Sequence, residues 1–272
     1  MRYYVLNRGD DISIQLTRKF HELAHAHGLT EDSEQPEIVV SIGGDGTLLH
    51  AYHTFLHRLE QVSFVGIHTG HLGFFADWRA EELDLLIDLM AKNPLGEGNR
   101  TVTYPLLEVV LEHSGQPVTF YALNEITIKS EVGTLVAQMN INGELFEMFR
   151  GDGICVSTPI GSTAYNKSLG GAVIHPTLES IQITEIASIN NRVFRTLGSS
   201  VLLPHHHHCD IIPHKGQKLQ LTIDHLTEKW KDVTNIRCRV SSRKVTFARY
   251  RPFPFWARVR EAFIHNSDDI QS

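Results

Sequence analysis

A carboxylate inside a glycine-rich turn is the most pointed chemical feature of this chain. The stretch Ser41-Ile42-Gly43-Gly44-Asp45-Gly46-Thr47-Leu48-Leu49 sets that turn between a strand-like run and a helical one. Glycines let a ligand come close to the backbone. The amides at the start of the following helix attract phosphate. The pattern is not G-x-G-x-x-G, and it lacks the Gly-Lys-Ser/Thr ending of a P-loop. Asp45 repels phosphate, so its chemistry would be to take a proton from an attacking hydroxyl, or to hold a metal ion that bridges phosphates. The plainer alternative is that Asp45 caps the helix.

Two other groups carry polar chemistry. Arg150-Gly151-Asp152-Gly153 is followed by Thr158-Pro159-Ile160-Gly161-Ser162-Thr163-Ala164-Tyr165-Asn166-Lys167-Ser168. This offers hydroxyls, an amide, a phenol and a cation, with Tyr165 able to stack on a base or donate its hydroxyl. It can equally be an ordinary loop. Asn124-Glu125, at a strand end, suits the two hydroxyls of a ribose, or simple turn chemistry.

The elements that must hold these residues fall into two textures. In residues 1–100, short strand signals at 3–6, 37–42 and 62–67 alternate with helical spacing at Ile12, Leu16, Phe20, Leu23 and His27, through about Arg58, and at Leu83, Leu86, Ile87 and Met90. That alternation implies βαβ units and a parallel sheet, a Rossmann-like α/β domain carrying the Gly-Gly-Asp-Gly turn. After the turn formers at 93–98, strand-like runs recur at 106–111, 119–123, 134–141, 154–157, 219–223, 237–240 and 245–250, predicting a β-rich domain over 101–252. Residues 253–272 read as a segment packing back on the core, with a frayed polar end.

Composition narrows the classes. The 272 residues hold 25 Lys plus Arg and 31 Asp plus Glu, a formal charge of −6, which argues against bulk nucleic-acid binding. No apolar run reaches the ~18 residues of a membrane span. The amino-terminal stretch has no secretory pattern, and Cys155, Cys209 and Cys238 form no even framework, so a reduced cytoplasm is the expected location. His205-His206-His207-His208 points its side chains in different directions on a strand or a helix, so no metal site is expected there. His68 and His71 read as loop or packing residues.

Taken in order, Gly43-Gly44-Asp45-Gly46, Asn124-Glu125, Gly151-Asp152-Gly153 and Thr158-Pro159-x-Gly161-Ser162-Thr163-Ala164-Tyr165 resemble the NAD kinase family over nearly the whole chain. The segments 68–74 and Arg251-Pro252-Phe253-Pro254-Phe255-Trp256 resemble its short bacterial form. The resemblance implies an NAD kinase/diacylglycerol kinase-like fold and phosphorylation of the 2′-hydroxyl of the adenosine ribose of NAD⁺ by ATP, with Mg²⁺ or another divalent cation. It implies Asp45 as the catalytic aspartate, with Gly46 beside it, Phe74 against the adenine, and Asn124 and Glu125 on the dinucleotide. It assigns further NAD contacts to Arg150, Thr163, Ala164, Asn166, Ser168 and Ala187. His225 falls near the reacting hydroxyl. Asp152 and Tyr165 would complete a neighbouring subunit's site, making the active form an oligomer, commonly a tetramer, with no nucleic-acid or membrane partner. Ile160 departs from the usual Thr or Ser, and Phe75 from a Tyr found in some members. Lipid kinases and phosphofructokinases share the Gly-Gly-Asp-Gly turn, and a non-catalytic NADP(H)-binding sensor is the alternative from another class.

Overall fold

Runs of β-branched residues alternate with amphipathic helices in the first third of the chain, and they fold as that pattern requires. The computed structural model describes residues 1–70, 72–93 and 101–264. His71, the turn-former stretch at 94–98 and the polar end at 266–272 lie outside the described residues. Contacts divide the chain into two units. One holds residues 1–103 and the stretch from Val245 onward; the other is Tyr104–Lys244.

In the first unit, β1 (Arg2–Asn7) leads to α1 (Asp11–Ala26), β2 (Thr30–Glu31), β3 (Ile38–Gly43), α2 (Asp45–Thr54), β4 (Ser63–His68), β5 (Ala76–Arg79) and α3 (Leu83–Lys92). The strands are parallel in the order β2-β1-β3-β4-β5. β3 and β4 are buried along their whole length, as central parallel strands are. Ile38, Val40 and Ile42 share one core with Phe20 and Ala24 of α1 and Leu83, Leu86, Ile87 and Met90 of α3. On the other face, Tyr52 of α2 lies 6.5 Å from Phe64 of β4. Asp10 starts α1 by accepting the Ser13 amide at 2.8 Å. The helical stretch expected through Arg58 ends as α2 at Thr54, with a short tighter turn at Leu56–Arg58.

The second unit is built from antiparallel strands. They are β6 (Thr101–Glu112), β7 (Val118–Ala122), β8 (Glu125–Ser130), β9 (Leu135–Ile141), β10 (Glu144–Gly151), β11 (Gly153–Ser157), β12 (Ser180–Ile186), β13 (Val201–Pro204), β14 (His208–Pro213), β15 (Leu219–Ile223), β16 (Leu226–Trp230) and β17 (Asn235–Ala248). The short helix α4 (Tyr165–Ser168) lies between β11 and β12. One sheet runs β13-β12-β11-β8-β15-β16, and the other runs outward from edge strand β10 through β9, β14 and β17 to β6 and β7. A single core takes Ile126, Val156 and Leu221 from the first and Leu107, Ala137 and Ile211 from the second. The runs at 237–240 and 245–250, read as separate strands, are one continuous strand, β17.

The chain returns to the first unit along the end of β17 and through α5 (Phe255–Phe263). Phe247 pairs in parallel beside Phe64. Arg249 forms an ion pair with Asp77 at 2.9 Å, with side chains 4% and 2% exposed. Its guanidinium lies over Phe253, 4.1 Å from the ring centre, while Nε and Nη2 find no acceptor among the described residues. Asp77 is therefore the charge that compensates a buried cation. Removing one member of a buried pair leaves the other uncompensated, and Asp77→Ala should lower unfolding free energy by about 3–5 kcal/mol in urea denaturation. A loss below about 1 kcal/mol would show that Arg249 reaches water instead.

Candidate active site

Asp45 is the first residue of α2, with Gly44 as the cap. Its side chain turns away from its own helix. Oδ2 accepts the Phe74 amide at 2.9 Å, and Oδ1 accepts those of Phe75 at 3.0 Å and Ala76 at 3.2 Å. Asp45 is thus held by the segment leading into β5 and does not cap α2. A carboxylate has about four acceptor sites, so this cradle leaves one, on Oδ2. Gly73 makes the approach feasible, because a Cβ there would sit 2.1 Å from Asp45 Oδ1. Phe75 is buried and stacks on Phe247 at 5.8 Å, fixing the donor segment from behind. Phe74 is half-buried, with one ring face against Phe263 at 5.7 Å.

Beside the turn lies a recess of about 460 Å³, lined by Asn7, Arg8, Gly44, Gly46, Thr47 and His50. Gly46 is exposed, with open space where a side chain would stand. The first turn of α2 carries amides without partners inside the helix, and Arg8 adds a cation, so the recess suits an anion. Arg8 is bonded to Asp10 through Nε. His68, expected to be a packing or loop residue, is buried with Nδ1 2.7 Å from the Gly70 carbonyl.

In the second unit a carboxylate again collects peptide N–H groups. Asp224 stands in the two-residue turn between β15 and β16, at φ +53°. It accepts the amides of Asn124 at 2.7 Å, Leu123 at 3.0 Å and Glu125 at 3.3 Å, and its own amide donates to the Glu125 carbonyl at 2.9 Å. Thr158 Oγ1 donates to the Leu123 carbonyl at 2.6 Å and accepts the Gly161 amide at 2.9 Å, so the loop after β11 is tied to the same junction. A Cβ on Gly161 would meet the Asn124 carbonyl oxygen at 2.1 Å, which only glycine avoids.

This clamp buries Asn124 and Glu125. Glu125 Oε2 has no partner among the described residues. Burial first, and then the negative charge of Asp224, push the Glu125 carboxyl up to about 8, against the opposing Tyr165 amide that donates to it. Thr163 and Ala164 lie half-buried just before α4. Tyr165 is exposed, with Lys129 Nζ 5.7 Å from its ring centre. Asn166 is fully buried and accepts from Thr184 Oγ1 at 2.8 Å, so its amide is spent inside the protein. Ser168 and His225 are exposed. Ile160 is buried and offers its carbonyl to Thr163 Oγ1 at 3.2 Å.

Arg150 is the penultimate residue of β10, with its guanidinium 4.2 Å above Phe194, and Asp152 is exposed in the turn to β11. Ala187, at φ +46°, lines a recess of about 550 Å³ with Gly170, Thr184, Ser188 and Ser200. The histidines at 205–207 form the turn before β14, with neighbouring rings roughly perpendicular, and His208 Nε2 lies 3.4 Å from Asp210.

Sequence reasoning missed the amides of Phe74, Phe75 and Ala76, Arg8, the ties that Thr158 makes to Leu123 and Gly161, and the grip of the Asp224 carboxylate on residues 123–125. Arg8 had a signal: it follows β1 at the carboxyl edge of a parallel sheet, where ligands of such sheets gather. The amides had none, since backbone donors carry no side-chain signature.

Comparison with known proteins is consistent with this geometry. The family described as ATP-NAD kinase N-terminal domain matches residues 10–93, and ATP-NAD kinase C-terminal domain matches 123–249. NAD kinase 1 of Halalkalibacterium halodurans is 55% identical over 269 residues, covering 98% of this chain and all of that protein. NAD kinase of Geobacillus stearothermophilus is 54% identical over 264 residues, 96% of each. Among solved structures, yeast NADH kinase complexed with NADH superposes with a TM-score of 0.83 at 20% identity, covering 100% of this chain and 90% of that one. An NAD kinase from Archaeoglobus fulgidus in complex with ATP gives 0.73 at 23% identity, covering 92% and 94%. These two likenesses establish the fold.

The raised Glu125 carboxyl has a consequence for stability. Folding favours its protonated form, so its contribution is complete below 4.5 and is lost as pH climbs to about 8. The unfolding midpoint of the wild type should therefore fall relative to Glu125→Gln between about pH 5 and about pH 9. Parallel curves across that window would mean that Glu125 titrates as an ordinary carboxyl.

Proposed function

The chain belongs to the NAD kinase family of phosphotransferases, and we propose that it transfers the terminal phosphoryl group of ATP to the 2′-hydroxyl of the adenosine ribose of NAD⁺, giving NADP⁺ and ADP. The observation that carries this reading is Asp45, held by three amides beside an anion-suited recess with one acceptor site left on Oδ2. Phosphoryl transfer has a loose transition state, so positioning and charge neutralisation supply most of the catalysis. Asp45 Oδ2 would orient the 2′-hydroxyl and receive its proton late, as the bond to phosphorus forms. The triphosphate would take the recess by Gly44, Gly46 and Arg8. The single acceptor site left on Asp45 Oδ2 is the one the 2′-hydroxyl would use. The reading therefore has magnesium travel on the triphosphate, where it would offset charge with phosphate oxygens and water as ligands.

The dinucleotide falls to the second unit. Glu125 Oε2, buried and unpartnered, would receive ribose hydroxyls, with Asn124 beside it. Thr163, Ala164, Tyr165, Ser168, Ala187 and His225 would make the further dinucleotide contacts expected of them. Phe74 would offer the adenine the ring face that Phe263 leaves open. Asn166 fits a supporting role better than a direct contact, because its carbonyl oxygen is taken by Thr184.

An oligomer, with a tetramer as the expected form, is supported by β10. This edge strand exposes Leu145, Phe146 and Met148, and it leads directly into Arg150 and Asp152. A second copy docking along it would bring Asp152 to a neighbour's site. Cys155, Cys209 and Cys238 are free and buried, and cysteines left unpaired suit a reducing cytoplasm. No helix among the described residues is long and apolar enough to cross a membrane.

Two experiments test the reading. With NAD⁺, ATP and Mg²⁺, and an NADP⁺-specific dehydrogenase as reporter, wild-type protein should form NADP⁺ and Asp45→Asn should be slower by about 10²–10⁴-fold. NADP⁺ formation near the wild-type rate would remove Asp45 from the chemistry, and dinucleotide binding with ATP unconsumed by the wild type would favour a sensor. In sedimentation, the double substitution Leu145→Lys and Met148→Lys should reduce the assembly to smaller species and lower activity with it. An unchanged mass would move the interface away from β10.

A further inference from the structure

The sheet β13-β12-β11-β8-β15-β16 has one apolar and one polar face. Ile126, Ile128, Ile154 and Val156 point into the core. Alternation sends Glu125, Thr127 and Lys129 of β8 to the opposite face, with Cys155 of β11 as the register partner of Thr127. That face carries the carboxyl read as the ribose acceptor and, about 13 Å of strand further on, an ammonium group. Cys155 feels both charges: burial raises its thiol most, Glu125 adds to the rise and Lys129 opposes it.

Lys129 is placed by its neighbours. Gly153 is its register partner, and a Cβ there would meet the Ile128 carbonyl oxygen at 2.5 Å and Lys129 Cγ at 2.9 Å, so the bare glycine gives the lysine stem its path. Nζ ends 5.7 Å from the centre of the Tyr165 ring. The Tyr165 amide donates to Glu125. Tyr165 thus stands between the two charged groups, its main chain on one and its ring beside the other. Lys129 is half-buried and has no carboxylate within ion-pair distance among the described residues. The face of a phenol ring is a weak partner for an ammonium group.

We propose that Lys129 receives the pyrophosphate of the dinucleotide. The proposal rests on the reading that NAD⁺ lies along this face of the second unit. A pyrophosphate brings two negative charges. The side chains assigned to NAD⁺ carry no permanent positive charge apart from Arg150, whose guanidinium lies over Phe194. Lysine offers a compact charge on a flexible stem, which meets a phosphate without the fixed geometry that a guanidinium demands. Glu125 then holds the ribose, Lys129 holds the phosphates next along the ligand, and Tyr165 spans the two.

The test measures binding to the full chain by calorimetry with NAD⁺, ADP-ribose and adenosine. ADP-ribose keeps the pyrophosphate and adenosine lacks it. Lys129→Gln should weaken NAD⁺ and ADP-ribose by about tenfold, the scale of one hydrogen bond to a charged group, and leave adenosine unchanged. Lys129→Arg should recover most of that loss. Added salt should weaken NAD⁺ binding to the wild type more than to Lys129→Gln. In the coupled assay Lys129→Gln should raise the KM for NAD⁺ and leave the KM for ATP unchanged. Equal weakening of adenosine and NAD⁺, or NAD⁺ affinity indifferent to Lys129→Gln, would overturn the proposal. Wild-type protein that binds NAD⁺ without forming NADP⁺ would defeat the kinase reading while the three-ligand comparison still decides the role of Lys129. Wild-type protein that binds no NAD⁺ would end both.

Discussion

Three successive peptide N–H groups converge on one carboxylate in each unit, and the functional residues of both units depend on that grip. Asp45 is held by the amides of residues 74–76, and Asp224 by those of 123–125. Hydrogen bonds to a charged acceptor contribute about 1.5–3 kcal/mol each, so three of them can fix a loop that has little apolar surface of its own. The donors are main-chain groups, so the arrangement constrains backbone path more than side-chain identity. Its weak points are close approaches, such as Gly73 against Asp45 and Gly161 against Asn124, where an added methyl group has no room.

The same grip creates an asymmetry between neighbouring acids. Asp224 takes three amides, while Glu125 takes the Tyr165 amide and keeps Oε2 unpartnered in a buried position. A buried polar atom without a partner is costly, and it calls for a donor from outside the protein. In the proposed reading that donor is a sugar hydroxyl, and the dinucleotide repairs a deficit that folding leaves open. Ile160, by contrast, is absorbed into the interior, where its side chain supports the loop and its carbonyl engages Thr163.

Much of this was legible in the residues. The run at 37–42 reads as a buried strand because its β-branched residues are continuous, and β3 forms there. The turn at 43–46 announces a helix start. The partners of the Asp45 side chain were not legible: a helix cap is a local bond, whereas these lie 29–31 residues away. The strand β17 was split in reading because Ser241-Ser242-Arg243-Lys244 interrupts the apolar pattern. In the structure Ser241 accepts the Arg243 amide and the ladder runs on, since pairing on both sides outweighs local polarity. β14 was hidden by its histidine-rich approach and its terminal proline. The Arg249–Asp77 pair left no local sign at all.

That pair also bears on the order in which the molecule can be made. The first unit is discontinuous: its sheet and α-helices come early, but Phe247, Arg249 and α5 arrive only after the whole second unit. Arg251, which bonds the Asp77 carbonyl, is 174 residues further along. At ribosomal rates of ~5–20 residues per second, that gap is on the order of ten seconds or more. Throughout it, Asp77 and the flank of β4 stand without the segment that buries them. A nascent chain of this protein is thus exposed on its earliest domain for most of its synthesis, and the unit that is begun first is completed last.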